Sequence, residues 1–175
     1  VVSRSFGKRV EDFQELKEAI AGYSLNASEK IRSESLVTKS ITVFIRTSPF
    51  QSRFGYYSNS KKIDFPIATN NSIQIVKAAI SGLETIFQNG YRYQKAGVQL
   101  SGLSDSSDGK NLFSSERDEK INSLMKSIDN TNHRYGRSTL SLASAGVHKR
   151  WNTRRQHYSK IDTVDFYCLP TIKAI

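Results

Sequence analysis

"KSITVFIRTS", residues 39–48, alternates polar and apolar side chains as a half-buried β-strand does. Ile41, Val43 and Ile45 fall on one face, and Ser40, Thr42, Phe44 and Arg46 on the other. The apolar face needs a covering layer and the polar face does not, so the flanking segments decide the fold. Upstream, Asp12 opens a helix with Glu15 three residues on, the spacing of a capping box. Phe13, Leu16, Ile20, Tyr23, Ala27 and Ile31 then recur every three or four residues, one apolar stripe over about five turns. Residues 1–10 before it read as a short strand. Downstream, "KKIDFPIA" (61–68) is a further strand with Ile63, Phe65 and Ile67 inward; Pro66, which lacks an N–H, suits a sheet edge. A second helix starts at Asn71 or Ser72, carries Ile73, Val76, Ile80, Leu83 and Phe87, and stops at "QNG", with Gly90 at the left-handed position after the cap. "YRYQKAGVQLS" (91–101) is the last strand, with Ala96, Val98 and Leu100 on one side and Tyr93, Lys95 and Gln99 on the other. The order β-α-β-β-α-β predicts an α+β domain: a four-stranded antiparallel sheet with two helices on one face and the other face open.

Beyond this domain (1–103) the period disappears. Residues 104–115 are rich in Ser, Asp and Gly and read as a flexible linker, yet they carry Leu112 and Phe113 side by side. Residues 116–175 form a small, partly helical module. Its short helix, opened by Ser115 with Asp118, is striped by Ile121, Leu124, Met125 and Ile128. The stretch 132–160 holds seven Lys or Arg, no Asp or Glu, and His133, His148 and His157. No repeat of fixed period is present.

Twenty-six Lys and Arg against 16 Asp and Glu give a net charge of +10, a field that favours nucleic acid or an anionic surface over acidic small molecules. No apolar run approaches the ~20 residues of a membrane span. The single cysteine, Cys168, permits neither an intrachain disulfide nor a Cys-based zinc site, and fits a reducing, cytoplasmic setting. With no initiator Met and Met125 the only methionine, the chain reads as a piece of something longer.

Catalytic signatures are missing. The three histidines are spaced by fourteen and eight residues with no acid or Cys as a near neighbour in that stretch, unlike a zinc site. Gly102 to Gly109-Lys110 has six intervening residues where a phosphate loop has four, and Asn111 stands where such a loop has Ser or Thr. Glu11-Asp12 and Asp118-Glu119 lie in first helical turns, where the macrodipole favours negative charge. No metal site, cofactor or catalytic residue is assigned, and the chain is not expected to be an enzyme on its own. The open sheet face is the better lead. It presents Ser3, Ser5, Thr42, Arg46, Tyr93 and Lys95, with Arg4, Lys8, Arg9, Lys39, Lys62 and Arg92 at its rims, groups suited to phosphate contacts.

"SRSFGKRV" (3–10), "ITVFIRTSPF" (41–50) and "GYRYQKAGVQL" (90–100) together resemble the little-finger domain of the Y-family translesion DNA polymerases, specifically the UmuC branch. "INSLMKSIDNTNHRYG", "SLASAGV", Trp151 and the late "RR" before "YSKIDTVDFYCLP" are similar to the extra C-terminal region of that branch, so the resemblance covers nearly the whole chain. It implies a non-catalytic, duplex-gripping part of an error-prone polymerase of SOS mutagenesis and DNA repair, binding primer-template DNA through its backbone. The carboxylates that hold two Mg²⁺ ions in such enzymes belong to a palm N-terminal to everything in this chain. The resemblance also implies a clamp-binding peptide like Q-L-x-L-F after the little finger. Gly109, Lys110, Asn111, Leu112 and Phe113 occupy its five positions, so the two terminal anchors are kept while the Gln and first Leu are lost. A weak contact with the processivity clamp through Asn111, Leu112 and Phe113 follows, the alternative being that Leu112 and Phe113 pack on the little finger. For the basic tail, Tyr135, Trp151 and Tyr158 among cations suit phosphate and stacking contacts. The family alternatively implies a UmuD′-like dimer and the RecA filament as its partners. The rivals are a ferredoxin-like RNA-binding domain, which needs aromatics on its two central strands, and a pure protein-interaction module.

Overall fold

The computed structural model describes residues 1–50, 55–106, 116–147 and 151, with side chains from residue 120 onward in its third helix. Its elements are β1 (Val2–Val10), α1 (Phe13–Ser33), β2 (Leu36–Thr47), β3 (Ser58–Thr69), α2 (Ser72–Ile86), β4 (Tyr93–Asp105) and α3 (Glu116–Tyr135), then a single 3-10 turn at Ala143–Ala145. The strands form one antiparallel sheet in the order β1-β4-β2-β3, so the first and last strands pair and β1 and β3 are the edges. This is the α+β arrangement predicted.

Both helices begin where their capping chemistry says. The Asp12 carboxylate accepts from the Glu15 N–H at 3.0 Å, and the Asn71 side chain accepts from the Ile73 N–H at 2.9 Å, each satisfying a donor the helix itself leaves open. α1 buries Leu16, Ala19, Ile20, Tyr23, Ala27 and Ile31, and α2 buries Ile75, Ala79, Leu83 and Ile86, against Ile41, Val43, Ile45, Ala96 and Val98 of the central strands. Each fully buried Leu or Ile in this layer contributes about 2 kcal/mol of transfer free energy. Where the helices meet, the Ser28 and Ser72 hydroxyls share a 2.7 Å hydrogen bond, so neither buried oxygen is orphaned.

Several expectations need correction. The inner stripe of α2 is turned by one position. Ile73 is 42% exposed and Ile75 takes its place in the core. Val76 and Ile80 instead face a second apolar cluster of Ala21, Leu25, Leu142 and Ala145, because the C-terminal region supplies another surface to cover. α2 ends at Ile86 with an extended Phe87 cap, and Gly90 (φ +90°) serves the loop beyond. Ile67 is 61% exposed. Between the Thr38–Thr69 and Ser40–Asp64 pairs β3 carries extra residues, which bow out of register and take Ile67 with them. β4 runs through Asp105, past the boundary placed at residue 103. α3 is a 20-residue helix rather than a short one; Met125 is buried, but Leu124 is half exposed.

The C-terminal region makes a third layer by running back along α1. Asp129 of α3 meets Arg32 near the end of α1, Ala145 packs with Ala21, Gly146 abuts the Glu18 side chain, and Trp151 packs on Tyr23 and Phe6. Every described element other than the sheet thus lies on the helix side, and none of the described elements covers the opposite sheet face.

Candidate nucleic-acid interface

Residues opposite one another in an antiparallel pair point to the same side of a sheet. The registers therefore resolve the open face into rows: Ser5–Lys95–Arg46–Ser58, then Ser3–Gly97–Phe44–Ser60, then Gln99–Thr42–Lys62. Arg46, Ser5, Ser58, Ser60, Gln99 and Lys62 are exposed, while Lys95, Ser3, Thr42 and Phe44 are half-buried. These rows hold three cations, hydroxyls on three strands and no carboxylate. At ~6.8 Å per two residues, Lys62 stands about 14 Å along the sheet from the Arg46–Lys95 pair. Lys62 also pairs with exposed Asp64 at 2.8 Å, a contact that competes only feebly with another anion.

Gly97 explains the middle row. A Cβ there would meet Ser3 Cβ and stand 2.5 Å from Phe44 Cζ, so the Phe44 ring lies across the bare glycine. A flat aromatic patch results, with cations beyond it on each side. Phe44, Ser58 and Ser60 were not among the residues singled out in the sequence. Phe44 could have been, because alternation already put it on the polar face and an aromatic there is an anomaly.

Of the predicted residues, Ser3, Ser5, Thr42, Arg46, Lys62 and Lys95 come together on this face. Others do not. Tyr93 is fully buried. Its hydroxyl donates to the Gln88 carbonyl (2.8 Å) and accepts from the Gln88 N–H (2.9 Å), and its ring packs among Tyr57, Phe87 and Tyr91. The cause is Gln94, an extra residue between the Arg46–Lys95 and Thr47–Tyr93 pairs that reverses the parity of everything before it. Burial raises the Tyr93 pKa, partly offset by the Gln88 bond. Arg4 pairs with Ala96 and so lies on the covered side of the edge strand, near enough Tyr23 to lower that phenol's pKa slightly. Lys39 alternates with Thr38 and Ser40 and falls in the covered row of Ile41, though exposed. Arg92 is held by Glu11 (Nε–Oε1 2.7 Å). Lys8 is exposed in the irregular part of β1. Asn111, Leu112 and Phe113 lie outside the described residues.

Residues 1–112 match the model of the impB/mucB/samB family C-terminal domain. The chain belongs to the impB/mucB/samB family. A domain of unknown function matches residues 122–172. Protein UmuC of Salmonella typhimurium strain LT2 is 35% identical over 175 residues, covering 99% of this chain and 42% of that relative. Protein MucB of Escherichia coli is 37% identical over 176 residues (99% and 41%), and Protein SamB of Salmonella typhimurium 32% over 175 (99% and 41%). The chain thus spans about two-fifths of the length of these relatives. The UmuC-type resemblance seen in the N-terminal motifs holds across the whole chain.

Within this impB/mucB/samB domain the open face offers the RNA-binding alternative one aromatic on its central strands, Phe44 of β2, while β4 presents Lys95, Gly97 and Gln99 there. Phe6, the aromatic of β1, is buried against Trp151 (centroids 6.3 Å). Trp151 itself is 5% exposed, so it is not free to stack on a base as the tail reading supposed. Tyr135 is 66% exposed beneath the Arg134 guanidinium (5.3 Å), and Tyr158, His148 and His157 lie outside the described residues. Among the described residues no three His, Cys, Asp or Glu side chains gather as a metal site, and no helix is long and apolar enough to cross a membrane.

Proposed function

We propose that this impB/mucB/samB domain grips primer-template duplex through its phosphates for an error-prone translesion polymerase, with Arg46, Lys95 and Lys62 as the cationic contacts. Ser3, Ser5, Thr42, Ser58 and Ser60 supply hydroxyls, and Lys8 flanks them. The observation that carries this reading is the row Ser5–Lys95–Arg46–Ser58 on a sheet face that no described element covers. Phosphate contacts of this kind fix a duplex in position without reading its sequence, which suits an enzyme that must hold a damaged template. Nucleotidyl transfer and its Mg²⁺ ions fall to a palm outside this chain, and nothing in the site assigned to this chain needs a cofactor.

In the same reading, Asn111, Leu112 and Phe113 make a weak contact with the processivity clamp. The basic tail meets a UmuD′-like dimer and the RecA filament, in the cytoplasm. Titrating the chain onto primer-template duplex at several salt concentrations tests the central part. Affinity falling steeply with salt is expected, because each phosphate contact releases counterions. No measurable binding at low salt overturns it. A Leu112→Ala, Phe113→Ala double variant that binds clamp as the parent does removes the clamp contact.

A further inference from the structure

β1 pairs regularly with β4 only from Val2–Val98 to Ser5–Lys95; the next pair is Val10–Tyr93. Four residues of β1, Phe6 to Arg9, therefore face a single residue of β4 and are not held by the ladder. Lys8 and Arg9, both exposed, lie in this stretch. Among the described residues, Trp151 of the separate C-terminal region contacts this stretch directly. The Gly7 N–H donates to the Trp151 carbonyl at 3.3 Å, and the indole packs edge-on against Phe6 and against Tyr23 of α1 (5.6 Å). Trp151 is a member of the domain's main core, although 37 residues of chain lie between it and Phe113. A strand segment freed from its ladder loses order unless something else fixes it, and each fixed residue spares backbone entropy that binding would otherwise cost.

We propose that Trp151 is a positioning residue for DNA binding: docked between Phe6 and Tyr23, it holds the irregular part of β1 so that Lys8 and Arg9 are set in place to meet phosphate beside the open face. The inference rests on the duplex-gripping reading. It makes the C-terminal region part of the grip while its indole never touches DNA. It also gives the Gly7 N–H, which has no ladder partner, a role in the Trp151 contact.

The test uses the full chain, with Trp151→Ala, Trp151→Phe and Lys8→Ala/Arg9→Ala variants, titrated with primer-template duplex across a salt series well below every melting temperature. Trp151→Ala is expected to weaken binding roughly three- to tenfold and to lower the slope of log affinity against log salt by about 1 to 2. Trp151→Phe, which keeps an aromatic edge on Phe6 and Tyr23, restores the parent slope. In the Trp151→Ala background, removing Lys8 and Arg9 has little further effect, since coupled groups are not additive. Trp151 is the only tryptophan, so its emission in the parent reports whether the indole is docked. An unchanged slope in Trp151→Ala, or full additivity with the cation variants, overturns the proposal even where the parent binds DNA. A melting shift with an unchanged slope means that Trp151 only stabilises the core and also overturns it. A parent without salt-dependent binding overturns the duplex-gripping reading first.

Discussion

Arg32 of α1 and Asp129 of α3, 97 positions apart, meet through two parallel hydrogen bonds, Nε to Oδ2 at 2.6 Å and Nη2 to Oδ1 at 2.8 Å. The remaining nitrogen of the fork donates to the Asn70 carbonyl (2.8 Å) and the Ser72 hydroxyl (2.6 Å), so one guanidinium ties together α1, the start of α2 and α3. The side chains are 13% and 26% exposed, which keeps solvent screening low. Asp129→Ala should cost about 1–2 kcal/mol and lower the melting temperature by roughly 3–6 °C. Calorimetry on the two proteins checks this. An unchanged melting temperature would mean that α3 is not docked on α1 as described.

Gly97 carries a second prediction. A methyl group there collides with Ser3 and with Phe44 Cζ (2.5 Å), both on the open face. Overpacking of this kind costs about 1–3 kcal/mol. Gly97→Ala is therefore expected to lower stability and to weaken duplex binding as the Phe44 ring is lifted. Phe44→Ala should spare stability, since the ring is only half-buried. Denaturant unfolding of both variants decides the point; equal midpoints for Gly97→Ala and the parent would count against the packed middle row.

Tyr23 predicts an alkaline transition. Its phenol is 2% exposed, and burial raises its pKa to about 12, against a small opposing effect of Arg4. The folded state thus holds this proton more tightly than the unfolded chain, whose phenol titrates near 10. The stabilisation is fully present below pH 10 and is lost as pH rises towards 12, amounting to about 2–3 kcal/mol. The hydroxyl also has no hydrogen-bond partner among the described residues. Tyr23→Phe should then be neutral or stabilising at pH 7 and should flatten the alkaline loss. Urea midpoints at pH 7 and 11 measure both, and a Tyr23→Phe protein as alkali-sensitive as the parent contradicts the account.

Tyr93 separates packing from binding. Removing its hydroxyl orphans the Gln88 N–H and carbonyl it now satisfies. Tyr93→Phe should lower stability by about 1–2 kcal/mol while leaving the salt dependence of DNA binding unaltered. A change in that dependence would put Tyr93 back on the binding surface.

Much of the fold was legible because each element announces itself locally: Asp12 and Asn71 as caps, the α1 stripe from Leu16 to Ile31, and the strict alternation of Ile41, Val43 and Ile45. What alternation cannot reveal is an interruption in pairing. Gln94 adds one residue to β4 and sends Tyr93 inward, and the bowed part of β3 sends Ile67 outward; both depend on a partner strand that the sequence does not show. Distant packing is hidden for a like reason. Ile73 and Val76 read as one stripe until the second apolar layer, with Leu142 and Ala145, turns α2 by a position. Trp151 looked like part of a basic tail because its neighbours in the chain are cations, whereas its neighbours in space are Phe6 and Tyr23. The Ser3, Ser5, Thr42, Arg46, Lys62 and Lys95 set was readable because those residues sit where pairing is regular.

The proposed grip turns on Arg46 and Lys95, side by side on the sheet face that no described element covers, holding duplex phosphates. The measurement closest to it compares the salt dependence of primer-template binding for the parent and for an Arg46→Ala, Lys95→Ala double variant. The expected result is a slope of log affinity against log salt smaller by about 2 in the variant, with binding weakened to a similar degree on every sequence. A variant whose slope and affinity equal those of the parent would contradict it.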